Sequence, residues 1–293
     1  MSKTIRFAKM EGVGNDFVVV PAELVADIDH SKAAVHLCAR RFGIGADGLL
    51  IVGLTDQPGV AFRFRMFNPD GTEDMCGNGL RCAVLFAQQA GLLLNTSGEF
   101  QIATSDGLLK AEIIELGQKD RTATVRVELP APRFAPEDIP FADIEESTVI
   151  DYPLHAGDAP VTVTAINTGS THCVIFGHEL PTEGVFQLLS PLIEHHPYFP
   201  ARTSVMWATQ TGSSEFTVRI WERAASETLG CGTGACAVAA AASVKGLVEF
   251  GDPIDVVSKG GTLSVAWPAK GAPIQLTGPA RWVYEGEAQV AGG

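Results

Sequence analysis

The chain carries the same chemistry-bearing segment twice. The first copy reads FRFRMFNPDGTEDMCGNGLRCAV (Phe62 to Val84) and the second reads FTVRIWERAASETLGCGTGACAV (Phe216 to Val238). Each passes from an alternating strand, through a turn carrying an acid (Glu73, Glu227), into Cys-Gly-x-Gly, and then into a second cysteine followed by Ala-Val. Each therefore sets a cysteine, Cys76 or Cys231, at the mouth of a glycine-rich turn that opens a helix. Backbone N–H groups at a helix start have no intrahelical partners and carry the positive end of the dipole. The turns Gly77-Asn78-Gly79 and Gly232-Thr233-Gly234 leave those groups uncovered, so a carboxylate can approach directly. The same positive end favours a thiolate: bringing a thiol from ~8.5 to ~7 takes roughly 2 kcal/mol, and a partly buried helix terminus supplies up to ~2 kcal/mol. Two thiolates side by side repel, so a facing pair shares one proton. One thiolate and one thiol flanking a bound carboxylate can take a proton from one face of an α-carbon and return one to the other. The outcome is inversion of a stereocentre.

An internal duplication implies two similar halves. If they face each other across a cleft, Cys76 and Cys231 meet at a pseudo-twofold axis. Short apolar or alternating runs predict strands at 17–20, 49–53, 108–115, 122–129, 161–166, 172–176 and 262–267. The segments at 80–90 and 235–246 are apolar or small nearly all round, the mark of buried helices. The prediction is an α+β protein of two pseudo-symmetric lobes, each a curved mixed sheet or barrel around a central apolar helix. LPAPRFAPEDIP, with prolines at 130, 132, 136 and 140, suits neither continuous helix nor central strand and marks the boundary. The N-terminal lobe is expected over 1–129, with 277–293 returning to it, and the C-terminal lobe over 130–276.

Thirty-four acidic and 21 basic residues give a formal charge of -13 over 293 residues, which argues against a nucleic-acid partner. No apolar signal core or membrane-length run is present, and the expectation is a cytoplasmic protein that meets no membrane. Six cysteines without a C-x-x-C pair fit neither a disulfide scaffold nor a zinc site. Cys38, Cys82, Cys173 and Cys236 are expected in the core as small hydrophobes. There is no P-loop and no metal spacing, so the chemistry is expected to need no metal or other cofactor.

Several stretches together resemble the diaminopimelate epimerase family: GVGNDFVVV (12–20), RRFGIGADGLLIV (40–52), FNPDGTEDMCGNGLRC (67–82), NTGSTHCVIF (167–176), WERAASETLGCGTGACA (221–237) and TGPARWVYEG (277–286). The resemblance implies a pyridoxal-independent epimerase that interconverts LL- and meso-diaminopimelate for lysine and peptidoglycan precursors, often as a homodimer. By position it implies that Cys76 and Cys231 are the acid/base pair, assisted by His172 and Glu222. Gly77, Asn78, Gly232 and Thr233 would hold the reacting carboxylate. Asn15 and Asn68 would contact the small-molecule substrate, Glu222 with Arg223 would read its distal end, and Tyr284 would lie at a dimer contact. The same residues also admit structural roles: turn caps for Asn15 and Asn68, a core histidine, a solvated ion pair and ordinary packing for Tyr284. Ser170 and Ser204 stand where the family often has asparagine, and Ala224 and Ser226 replace glycines after Arg223. The chemistry is thus expected intact and the specificity end altered. A cofactor-independent racemase of another polar amino acid is the alternative reading, and a thiol redox switch or a non-catalytic binding protein is the alternative of a different class.

Overall fold

The structure is a computed structural model, and it describes residues 2–93, 98–105, 107–117, 121–142 and 144–291. The chain divides into two compact units, Met1–Glu128 with Thr277–Gly293, and Leu129–Leu276.

In the first unit, β1 (Ser2–Gly12) pairs antiparallel with β2 (Asn15–Pro21), and β2 pairs parallel with β3 (Gly48–Gly53) through α1 (His30–Cys38). Next, β4 (Val60–Phe67) pairs antiparallel with β3 and with the two-residue β5 (Glu73–Asp74). After α2 (Gly77–Gln89), β6 (Phe100–Thr104) returns parallel to β4, and β7 (Gly107–Leu116) and β8 (Thr122–Leu129) continue antiparallel. The strand at Ile274–Ala291 pairs with both β1 and β8, so among the described residues the pairing closes on itself. A closed ring has no free edge.

The second unit repeats this connectivity. After β9 (Tyr152–Ala156), β10 (Ala159–Asn167) pairs antiparallel with β11 (Thr171–Phe176), which runs parallel to β12 (Ser204–Gly212) through α3 (Glu183–Glu194). Then β13 (Glu215–Glu222) pairs antiparallel with β12 and with β14 (Ser226–Thr228). After α4 (Gly232–Val244), β15 (Ile254–Ser258) returns parallel to β13 and β16 (Gly261–Ala266) follows antiparallel. The strand at Ile274–Ala291, β17, ends the chain's regular structure. The sequence duplication is therefore a duplication of strand order and direction.

The two cysteine-led helices are the buried ones. Residues 77–87 of α2 are all buried, as are 234–243 of α4, where six alanines from 235 to 242 with Gly234, Cys236, Val238 and Ser243 leave no polar face. Burying Leu80, Val84, Leu85 and Phe86 of α2 stabilises the first unit by about 1.5–3 kcal/mol each. The opposite face of each sheet is covered by the other helix. Leu37 and Cys38 of α1 lie with Val18, Val20, Leu49 and Ile51, and Phe186 and Ile193 of α3 lie with Cys173, Ile175, Val205 and Trp207. Strands sandwiched in this way are apolar on both faces, which is why 48–53 reads as an uninterrupted apolar run. Cys38, Cys82, Cys173 and Cys236 are all buried, and burial pushes the thiols of Cys38, Cys82 and Cys173 up, Cys38 to about 12. No described helix is long and apolar enough to cross a membrane.

Candidate functional site

Both cysteines are helix N-caps in nearly the same backbone geometry, φ -136° and ψ 119° for Cys76, φ -132° and ψ 116° for Cys231. Cys76 Sγ accepts from Gly79 N–H at 3.5 Å, and Cys231 Sγ accepts from Gly234 N–H at 3.3 Å. The glycines are thus the first turn of each helix, with the sulfur folded over it. A donor aimed at sulfur stabilises the thiolate over the thiol. A side chain there would crowd its neighbours: a Cβ on Gly234 would stand 2.7 Å from Met206 Sδ, and one on Gly79 3.1 Å from Leu50 Cδ2, so either neighbouring side chain would have to shift.

In the first unit, Asn15 is bonded to the cysteine turn. Its Oδ1 accepts from Asn78 Nδ2 at 3.3 Å and lies 3.7 Å from Cys76 Sγ as the thiol's acceptor. Its Nδ2 donates to Asp47 Oδ2 at 2.7 Å. A carboxylate only accepts, so Asp47 fixes which end of the amide meets the thiol. Asp47 is held in turn by the Asp16 N–H and by Arg40, which also bonds Asp16, while Lys9 pairs with Asp16 at 2.6 Å. Burial pushes the Asp16 carboxyl up, but hydrogen bonds from Arg40 and Lys9 outweigh it and bring it down to about 2. Arg81, fully buried, donates to Asn78 Oδ1 at 2.9 Å, to the Gly77 carbonyl and to the Pro279 carbonyl. Sequence reasoning missed it, although the first copy reads Gly-Leu-Arg-Cys where the second reads Gly-Ala-Cys. Asp47 was equally missed. Asn68 Nδ2 donates to Thr72 Oγ1 within its own turn, the capping role that its sequence position also allowed.

In the second unit, His172 is fully buried, and its Nε2 lies 3.0 Å from both Ser170 Oγ and Thr233 Oγ1. Thr233 Oγ1 lies 3.5 Å from Cys231 Sγ, and the Thr233 carbonyl accepts from Thr168 Oγ1. One hydroxyl therefore joins histidine and cysteine. Burial first, and then the Arg223 charge, push His172 down to about 3, so its ring is neutral near pH 7. Its Nδ1 is buried without a hydrogen-bond partner.

The strand β13 ends at Glu222, so Arg223 lies in the turn beyond it and the strand's alternation does not separate the two. Glu222 Oε1 accepts from Thr228 Oγ1 at 2.6 Å, and the Arg223 side chain donates to the Ala201 carbonyl. Ser204 Oγ accepts from the Arg223 backbone N–H at 3.1 Å, so this serine holds the turn itself. Ala224 and Ser226 have φ of 64° and 63°, the left-handed region that glycine occupies freely and that costs an alanine or serine about 1 kcal/mol. Tyr284 is half-exposed on β17, edge-on to Phe7. Among the described residues, no group of three or more His, Cys, Asp or Glu is placed to hold a metal ion.

The family model for diaminopimelate epimerase matches residues 7–133 and 164–283, which include both capped cysteines. A diaminopimelate epimerase of Desulforudis audaxviator (strain MP104C) is 40% identical over 286 residues, 97% of this chain and 99% of that one. The chain belongs to the diaminopimelate epimerase family. Another diaminopimelate epimerase, of Pseudomonas fluorescens (strain Pf0-1), is 38% identical over 98% of this chain and 99% of its own. At the level of fold alone, the crystal structure of a hydroxyproline epimerase from Agrobacterium vitis with bound trans-4-hydroxy-L-proline superposes with a TM-score of 0.70. It covers 98% of this chain and 91% of its own at 15% identity. Membership of the diaminopimelate epimerase family makes the chain an isomerase that takes a small-molecule substrate, as the motifs implied.

Proposed function

We propose that this protein interconverts LL- and meso-2,6-diaminopimelate by two-base proton transfer, with Cys76 and Cys231 alternating as thiolate base and thiol acid. The observation that carries this reading is the matched capping of the two sulfurs by Gly79 and Gly234 N–H groups, in a chain of this family. Each sulfur has a donor that suits a thiolate, and Cys76 also has an acceptor, Asn15 Oδ1, that suits a thiol. In the forward direction one thiolate removes the α-proton and the other thiol delivers its own to the opposite face; the reverse direction exchanges the roles. The amides at Gly77, Asn78, Gly232 and Thr233 would hold the α-carboxylate and stabilise the charge that develops as the proton leaves. His172, neutral, would orient the Thr233 hydroxyl beside Cys231 rather than act as a cationic acid. Glu222, Arg223 and Asn68 would read the distal amino-acid end, and no pyridoxal phosphate or metal would enter the reaction. The exposed face around Tyr284 would serve a second copy of the chain.

Proton NMR in deuterated water tests this directly. LL-diaminopimelate should lose its α-proton signal and yield the meso form without added cofactor. Lysine, which lacks the distal carboxylate, should exchange far more slowly. Faster exchange with another single-centre amino acid would replace diaminopimelate as the substrate.

A further inference from the structure

Glu194 closes α3 with a carboxylate whose side chain is only 4% exposed. Oε2 accepts from the Trp221 indole N–H at 2.7 Å, while Oε1 accepts from the Ala224 backbone N–H at 2.9 Å and from the Arg202 guanidinium. Three donors converge on one buried group that only accepts. One of them is the amide next to Arg223, and the Arg223 amide itself is held by Ser204 Oγ. Two consecutive backbone N–H groups are thus anchored at the point where β13 ends. Ala224 is the residue in this turn that most needs holding, because its φ of 64° is one an alanine adopts only under constraint.

We infer that Glu194 is a positioning residue for the substrate's distal end: it holds the Ala224 amide, and through it the turn from which Arg223 projects. This rests on the proposed role of Arg223, and it adds a residue that no motif marks. A glutamine has the same shape, but its NH2 must face either the Trp221 indole N–H or the Ala224 and Arg202 donors together, so E194Q removes at least one of the three bonds that fix the group under the turn without emptying the site.

Steady-state inversion of LL-diaminopimelate decides it, measured well below the melting temperature of each variant. The distal end is unchanged between ground and transition states, so E194Q should raise KM about ten-fold and leave kcat within about two-fold. Adding A224G to E194Q should recover most of that KM, since glycine takes the left-handed conformation without help. A residue that only supports the fold would lower the melting temperature with KM unchanged and show no rescue, and that result overturns the inference. R223A separates the two layers. If R223A raises KM and E194Q does not, the positioning role falls and the distal-end reading stands; if R223A leaves KM unchanged, both fall. Should E194Q fail to fold, W221F removes one of the three donors with a small change of shape. A KM rise of at least two-fold then supports the inference, and an unchanged KM overturns it.

Discussion

A backbone N–H aimed at a capping sulfur stabilises its charged form, and both cysteines receive one, which is what the proposed alternation of base and acid asks of each. Because inversion needs both a base and an acid, Cys76→Ala and Cys231→Ala should each abolish turnover while circular dichroism stays native; near-normal activity in either would end the two-base account. His172 adds a titration. Its pKa lies below the unfolded value, so the folded protein binds less proton than the unfolded chain between about pH 6.5 and about pH 3. The stability tied to neutral His172 is full above about 6.5 and is lost as pH falls towards 3, at up to ~1.4 kcal/mol per pH unit. Urea unfolding of His172→Gln across that window should give a shallower acid slope than the parent chain, and equal slopes would place the acid sensitivity elsewhere. The cysteines were legible in the sequence because the motif occurs twice and its glycines explain one another. Asp47, Arg81 and Glu194 were not. Asp47 reaches Asn15 across 32 residues and Glu194 reaches Ala224 across 30, and no local pattern announces a partner that folding brings in from so far.

At the scale of elements, the acidic residue in each repeated turn has a definite role. Glu73 takes both arms of Arg65 at 2.7 Å, and Glu227 takes Arg219, so each short strand before a cysteine is pinned to the long strand that leads into it. The two pins differ in burial: Arg219 and Glu227 are 11% and 21% exposed, Arg65 and Glu73 30% and 33%. Arg219 also lies 3.8 Å over the Phe186 ring and pairs with Glu183. Removing one charge from the drier pair should therefore cost more. Glu227→Gln should lose ~1–3 kcal/mol in denaturant unfolding, Glu73→Gln at most ~1 kcal/mol, and a reversed order would mean that burial does not set their strength. Seven strands, the two that lead into the cysteine turns and the two buried helices were readable from their apolar or alternating runs, whereas β1, β9, β12 and β15 were not. The outer helices α1 and α3 were not, because α1 has only nine residues and α3 carries Gly184 and Pro191, which disguise a helix that Thr182 nevertheless caps.

For the whole molecule, the proline-rich segment after Leu129 lies where one unit gives way to the next, and the repeated strand order has the sequence duplication as its source. What no local pattern could give is the closure of the first unit by β17, since Ser2 pairs with Ala291. Without β17, β1 and β8 are exposed edges. A chain ended at Leu276 should therefore aggregate or bind a hydrophobic dye where the full chain does not, and a monodisperse, cooperatively melting product would show that the ring needs no closure. The same pairing has a consequence on the ribosome. At ~5–20 residues per second, β1 leaves the exit tunnel roughly a quarter of a minute to a minute before its partner is made. The second unit, continuous in sequence, can complete itself first. The N-terminal half of the nascent chain is then the last part to become native, and a chaperone that shields unpaired strands during synthesis would act there.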